Sequence, residues 1–214
     1  MRIEGIIFDL DGTILDSRKV RLDAWVSAFR QFGITLSRDE IGPLLGLPGV
    51  DLAGRYSDKA FEIEEAEEIY FRGHLADLSF YPDVEDTIDT LKKSGIKISI
   101  VTSSRRKFVE MLGVSFCPVV TIDDVTVGKP DPEGYIKAVQ LMGLSDYHRI
   151  MVVGDALSDM EPAIEIGAVS VLIRHGAKTE CSKCNYYIDE VRECLGVISE
   201  LEKIDKVPDR NKGK

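Results

Sequence analysis

The sequence predicts an α/β protein: a doubly wound parallel sheet that carries a small all-helical insertion after its first strand. Three observations predict it. Strand-like apolar runs alternate with helical periodicity from residue 82 to 203, the pattern of a parallel sheet covered by helices on both faces. One buried strand stands before them at 5–8, and helix-like stretches with no clear strand fill 17–81. At 214 residues and 44% hydrophobic, the chain is long enough for one substantial core and a smaller inserted unit. The expected division is 1–16 and 82–204 for the sheet domain, 17–81 for the helical insertion, and a charged, frayed tail over 205–214.

Each element has a local reason. Gly5-Ile6-Ile7-Phe8 is a continuous apolar run ending in acidic residues, which reads as a buried strand feeding a polar loop. From Lys19 to Phe32, Val20, Trp25, Ala28, Phe29 and Phe32 recur at helical spacing, and Gly33 closes the helix. Pro43, Gly46, Pro48 and Gly49 then break the chain into short pieces. The Glu- and Ala-rich stretch 59–76 reads as a helix with Ile63, Ala66, Ile69 and Tyr70 on one face. Val84, Ile88 and Leu91 mark a helix ending at Gly95, and 96–101 is a strand. A short helix at 108–112, a short strand at 118–122 and a helix at 135–142 follow. A strand at 150–153 leads to a helix opened by Ser158, with Glu161 as its capping-box partner and Pro162 in the first turn. A strand at 169–173 and a helix at 189–203 complete the pattern.

Charge and cysteine content exclude several roles. A net charge of −10 opposes an electrostatic grip on nucleic acid or on an anionic membrane surface. An anionic substrate therefore needs local cations or a metal. No apolar run approaches the ~20 residues that span a bilayer, and Met1-Arg2-Ile3-Glu4 opens no secretory signal, so a cytoplasmic protein is expected. Cys117 and Cys194 stand alone. Cys181 and Cys184 form a CxxC, half of a structural zinc set; reduced thiols on a loop are the favoured reading, with a disulfide or a zinc shared across a dimer left open. His74, His148 and His175 are scattered and receive no role, and Trp25 is read as packing.

Ligands of open parallel sheets bind at the carboxyl ends of the strands. There the sequence places Asp9-Leu10-Asp11-Gly12-Thr13, then Thr102-Ser103-Ser104, then Gly154-Asp155 with Asp159 beyond, and Gly128-Lys129-Pro130 between them. Carboxylates without His or Cys suit a hard cation such as magnesium. Two carboxylates directly after a buried strand repel unless a cation neutralises them. A carboxylate beside such a metal can attack phosphorus, and a second can protonate the leaving oxygen. Lys129 and a hydroxyl can neutralise the transferring oxygens. Taken singly, Lys129 is a surface lysine, Thr102 a strand end and Asp159 a helix N-terminal acid; the last two readings stay open beside the functional ones.

These residues resemble the haloacid dehalogenase superfamily. The resemblance rests on DLDGT at 9–13, Thr102, GKPDP at 128–132 and GDALSD at 154–159, in order and over nearly the whole chain. It implies a Rossmann-like core with a helical cap at 17–81. It implies Asp9 as nucleophile and magnesium ligand, Asp11 as general acid/base and, by its carbonyl, a further ligand. It also implies Thr102, Ser103 and Lys129 as phosphate-binding groups, with Asp155 and Asp159 completing the metal set. Asp16-Ser17, Ala24-Trp25 and Leu45-Gly46-Leu47-Pro48-Gly49 look most like the phosphoglycolate phosphatase and β-phosphoglucomutase relatives. Gly46, Leu47 and Arg21 are the cap residues that could face substrate, although Gly-Leu-Pro-Gly is also plain turn chemistry and arginines on an acidic insertion, Arg55 among them, are more often solvated.

The expected function is a magnesium-dependent phosphatase of a small phosphorylated metabolite, phosphoglycolate or a sugar phosphate, as monomer or homodimer. A phosphomutase and a non-catalytic regulatory module on the same fold are the alternatives. Dehalogenase chemistry is opposed by the presence of Asp11.

Overall fold

The computed structural model describes residues 1–205. Residues 206–214, most of the expected tail, lie outside the described residues. Among the described residues, no helix is long and apolar enough to cross a membrane.

Six parallel strands form one sheet. They are β1 (Gly5–Phe8), β2 (Lys97–Val101), β3 (Val119–Val120), β4 (Ile150–Gly154), β5 (Val169–Ile173) and β6 (Tyr186–Ile188), in the order β3-β2-β1-β4-β5-β6. β1 is central and pairs with β2 (Phe8 opposite Ile100) and with β4 (Phe8 opposite Val153). Its four residues are all buried, as a strand covered on both faces requires. Ile6 and Phe8 enter one apolar cluster with Ile88, Leu91, Val153 and Ile198. Ile7 points the other way, into a cluster with Tyr135, Val152 and Met160.

Helices α1 (Arg18–Gln31), α2 (Arg38–Ile41), α3 (Gly49–Gly54) and α4 (Ala60–Gly73) follow β1 without an intervening strand. They enclose a cluster of their own around Trp25, Phe29, Ile41, Leu52 and Ile63. α1 ends as expected: Gly33, at φ +76°, takes the left-handed conformation that lets Ile34 N–H reach Phe29 C=O at 3.0 Å. The remaining helices are α5 (Val84–Lys93), α6 (Arg106–Met111), α7 (Glu133–Leu141), α8 (Leu157–Glu165) and α9 (Glu193–Asp205).

Four readings need correction. The buried stripe of α4 is Ala60, Ile63, Glu67 and Phe71, whereas Ile69 is 57% exposed. A buried glutamate displaces the isoleucine because its ion partner, Arg21, lies on that side. α8 starts at Leu157, so Ser158 is not its cap; Asp159 instead reaches back to accept the Ala156 N–H at 3.1 Å. β6 is a sixth strand that three residues without alternation did not signal. The CxxC thiols are not free: Cys181 and Cys184 are joined as a disulfide. The turn that brings Cys184 N–H to Cys181 C=O at 3.2 Å places the two side chains side by side.

Candidate active site

The loops after β1, β2 and β4 meet at the carboxyl edge of the sheet, where parallel pairing aligns their ends. Asp9 follows β1 directly, and its N–H is tied to Val153 C=O at 2.9 Å. Lys129, in the loop before α7, donates to Asp9 Oδ1 at 2.5 Å and to Asp159 Oδ1 at 2.6 Å. Tyr135 OH donates to the same Asp159 oxygen at 2.8 Å. All four side chains are buried. Asp155, after β4, completes the group: one carboxylate oxygen each from Asp9, Asp155 and Asp159 lies within 4.8 Å of the others.

The charges do not balance within this cluster. Burial pushes the Asp9 carboxyl up to about 7, with Asp159 and Asp11 adding to the rise and Lys129 opposing it. Burial, Asp9 and Asp159 likewise hold Asp155 well above the usual carboxylate range, against Arg18 and Lys129. Lys129 stays charged, because Asp159 and Asp9 outweigh the burial that would lower it. Three carboxylates thus share one buried lysine, and their all-oxygen donor set fits a hard divalent cation. Asp9 and Asp155 keep open oxygens for it. The Asp159 carboxylate is already occupied by Lys129, Tyr135 and the Ala156 N–H.

Asp11 faces the other way, toward the helical segment. Its Oδ1 accepts from Ser17 Oγ (2.8 Å) and Arg21 Nε (3.2 Å); its Oδ2 accepts from Ser104 Oγ (2.7 Å) and Arg21 Nη2 (3.3 Å). Burial would raise this carboxyl, but Arg21 and the hydroxyl donors hold it below its ordinary value. Arg21 is therefore not a solvated arginine. Thr102 is buried, and its hydroxyl accepts the Ser104 N–H at 3.0 Å. Ser103 Oγ is committed to Gly46 C=O at 2.7 Å, which joins the loop after β2 to the helical segment.

A cavity of about 70 Å³ opens between these two groups. Asp9, Asp11, Thr102, Ser103 and Asp155 line one side; Arg21, Gly46, Leu47, Glu64 and Glu67 line the other, with Arg18 and Arg105 at its margin. Lys129 and Asp159 lie beneath it. The cavity is far below the ~300 Å³ lower bound for sites that hold drug-sized ligands. Arg55 is exposed and Trp25 is buried against Phe29. Sequence reasoning placed Ser104 at a strand end and quoted Ser17 in the resemblance without giving either a role, and it missed Glu67, which nothing local marks. His175, read as having no role, meets the Thr13 C=O at 2.9 Å and stacks on Tyr81 with ring centroids 3.6 Å apart.

A family profile described as haloacid dehalogenase-like hydrolase matches residues 6–173. The pyrophosphatase PpaX of Bacillus mycoides (strain KBAB4) is 30% identical over 216 residues, covering 94% of this chain and 99% of that protein. PpaX of Oceanobacillus iheyensis is 27% identical over 211 residues, covering 94% and 99%. A hydrolase from Pseudomonas syringae superposes with TM-score 0.83 at 24% identity, over 92% of this chain and 99% of that one. A β-phosphoglucomutase from Clostridium difficile does so with TM-score 0.80 at 20% identity, over 94% and 99%. At these identities the two structures share the fold with this chain.

Proposed function

The chain belongs to the haloacid dehalogenase-like hydrolase family, and on that premise we propose that it is a magnesium-dependent phosphatase of a small phosphorylated compound, with Asp9 as covalent nucleophile. The observation that carries this reading is the under-neutralised set of Asp9, Asp155 and Asp159 around Lys129 at the edge of the sheet. Residues 1–16 and 82–204 act as the core in this reading, and 17–81 as a cap over the cavity.

Asp9 attacks phosphorus through one carboxylate oxygen, forming an aspartyl phosphate as the bond from phosphorus to the departing oxygen breaks. For Asp11 to give a proton to the departing oxygen, its carboxyl must first leave the Arg21, Ser17 and Ser104 donors that hold it ionised; the carboxylate then takes a proton from the hydrolytic water. Lys129 and Thr102 offset the charge that spreads over the transferring oxygens. Asp159 holds Lys129 in place. Asp9 and Asp155, with the Asp11 carbonyl and with Asp159 nearby, would hold magnesium, which would supply further positive charge.

The small cavity favours a compact substrate. The PpaX relatives add pyrophosphate to phosphoglycolate and small sugar phosphates as candidates. The test is phosphate release from that panel, with magnesium and with a chelator. Magnesium-dependent release from one or two compounds supports the reading and names the substrate. Absence of release from every compound overturns it.

A further inference from the structure

We infer that the cavity selects a neutral leaving group bearing hydroxyls, such as a small polyol, over one that carries a carboxylate or a second phosphate, with Glu64 and Glu67 accepting the hydroxyls. The inference rests on the phosphatase reading above and chooses among the substrates which that reading leaves open.

Each guanidinium that lines the cavity already meets carboxylates of this chain. Arg18 Nη1 meets Asp155 Oδ2 at 3.2 Å. Arg21, which sequence alone suggested as a substrate contact, meets Asp11 through Nε and Nη2 and Glu67 Oε1 through Nη1. Arg105 gives Nε to Glu68 (2.7 Å), Nη2 to Glu64 (2.9 Å) and Nη1 to Asp123 (3.4 Å). A second anion on the substrate would therefore face Glu64, Glu67 and Glu68 with no uncommitted guanidinium to meet it. Like charges repel most where water is scarce.

The same wall is no better suited to an ammonium. Arg105 and Lys107 stand against Glu64 and Glu68, and Arg21 stands against Glu67, so each of these acids has a cation partner. What the wall offers is unused acceptors. Arg105 holds Glu64 Oε2 and Arg21 holds Glu67 Oε1, whereas among the described residues nothing donates to Glu64 Oε1 or Glu67 Oε2. The two side chains are only 13% and 3% exposed, and both line the cavity. An acceptor withdrawn from water is costly until a donor meets it. Residues 64 and 67 lie three apart on α4, so they project from one helix face. A hydroxyl donates to such oxygens without bringing charge.

The chain at 46–49 shapes this wall as well. A Cβ on Gly49 would stand 2.5 Å from Glu64 Oε1 and 2.9 Å from Glu64 Cγ. The bare backbone at Gly49 is what lets the free oxygen of Glu64 take its place.

The test measures kcat/KM with magnesium for glycerol phosphate, propyl phosphate, phosphoglycolate and phosphoethanolamine, beside pyrophosphate and p-nitrophenyl phosphate. Glycerol phosphate is expected to exceed propyl phosphate by about tenfold or more, the worth of a hydrogen bond to a charged acceptor. It is expected to exceed phosphoglycolate, phosphoethanolamine and pyrophosphate by at least as much. Glu64→Ala is expected to cut the preference for glycerol phosphate over propyl phosphate by about tenfold. Gly49→Ala displaces the Glu64 oxygen but keeps its charge, and the atoms it meets belong to a flexible side chain. It shows the same loss in lesser degree and carries the test if Glu64→Ala fails to fold. The inference is overturned if the parent prefers phosphoglycolate, pyrophosphate or phosphoethanolamine, if it treats glycerol and propyl phosphate alike, or if both variants keep the parent's preference. Magnesium-dependent hydrolysis of p-nitrophenyl phosphate in any of those cases leaves the phosphatase reading standing. If no compound is hydrolysed, p-nitrophenyl phosphate included, that reading fails and the inference with it.

Discussion

Lys129 Nζ donates to Asp9 Oδ1 at 2.5 Å, with both side chains almost completely withdrawn from solvent. The contact fixes one Asp9 oxygen beside a positive charge and leaves the second open.

Lys129→Met removes the buried cation from among Asp9, Asp159 and Asp155. Turnover is expected to fall by about 10²–10³-fold, as for loss of a preorganised donor. Stability is expected to fall by about 3–5 kcal/mol, because uncompensated buried charge remains. Steady-state kinetics and denaturant unfolding check the two arms; an unchanged kcat would contradict the role given to Lys129.

Gly46 lies on the far wall of the cavity, at φ +97°. A Cβ there would stand 2.6 Å from Ser158 Oγ and 3.0 Å from Ala156 Cβ, at the start of α8. Gly46→Ala should therefore unseat the loop from the sheet edge and break the Ser103–Gly46 hydrogen bond. The expected outcome is a fall of about tenfold or more in kcat/KM, with a stability loss of only about 1–3 kcal/mol from backbone strain. Equal kcat/KM for the variant and the parent would show that seating at Gly46 does not matter.

Arg105 bridges to α4 through Glu64 (2.9 Å) and Glu68 (2.7 Å), and Lys107 adds a second contact to Glu68 at 2.5 Å. These pairs join the loop after β2 and the first turn of α6 to the helical segment, yet Arg105 is 37% exposed. Exposed pairs are worth about 0–1 kcal/mol each and are screened by salt. Arg105→Ala should leave unfolding within about 1 kcal/mol of the parent. It should also flatten the salt dependence of kcat/KM. An unaltered salt dependence would place the charge coupling elsewhere.

Periodicity made the sheet legible. The runs at 5–8, 97–101, 150–154 and 169–173 are mostly apolar, broken only by Lys97, Ser99 and Ser170, and all but Lys97 are buried because both faces of the sheet are covered. Asp9 and Asp155 were legible for a related reason: strand ends are where a parallel sheet exposes polar groups, and each directly follows one, whereas Lys129, in the loop before α7, was read from its Gly-Lys-Pro setting and the resemblance. Glu67 was not. Its partner is 46 residues away, and apolar spacing assigns a glutamate to solvent by default. The capping of α8 was misread because Ser158 and Glu161 satisfy the capping pattern two residues further along than Ala156 and Asp159. The CxxC was misread because composition alone does not reveal the turn that closes it.

The most direct test of the account is acid quenching of the enzyme during turnover with magnesium, followed by mass analysis of its peptides. The account predicts one added phosphoryl group on Asp9, absent from Asp9→Asn, which should also have no measurable turnover while unfolding as a cooperative folded protein. Turnover that proceeds in Asp9→Asn, or a phosphoryl group carried on another residue, would contradict it.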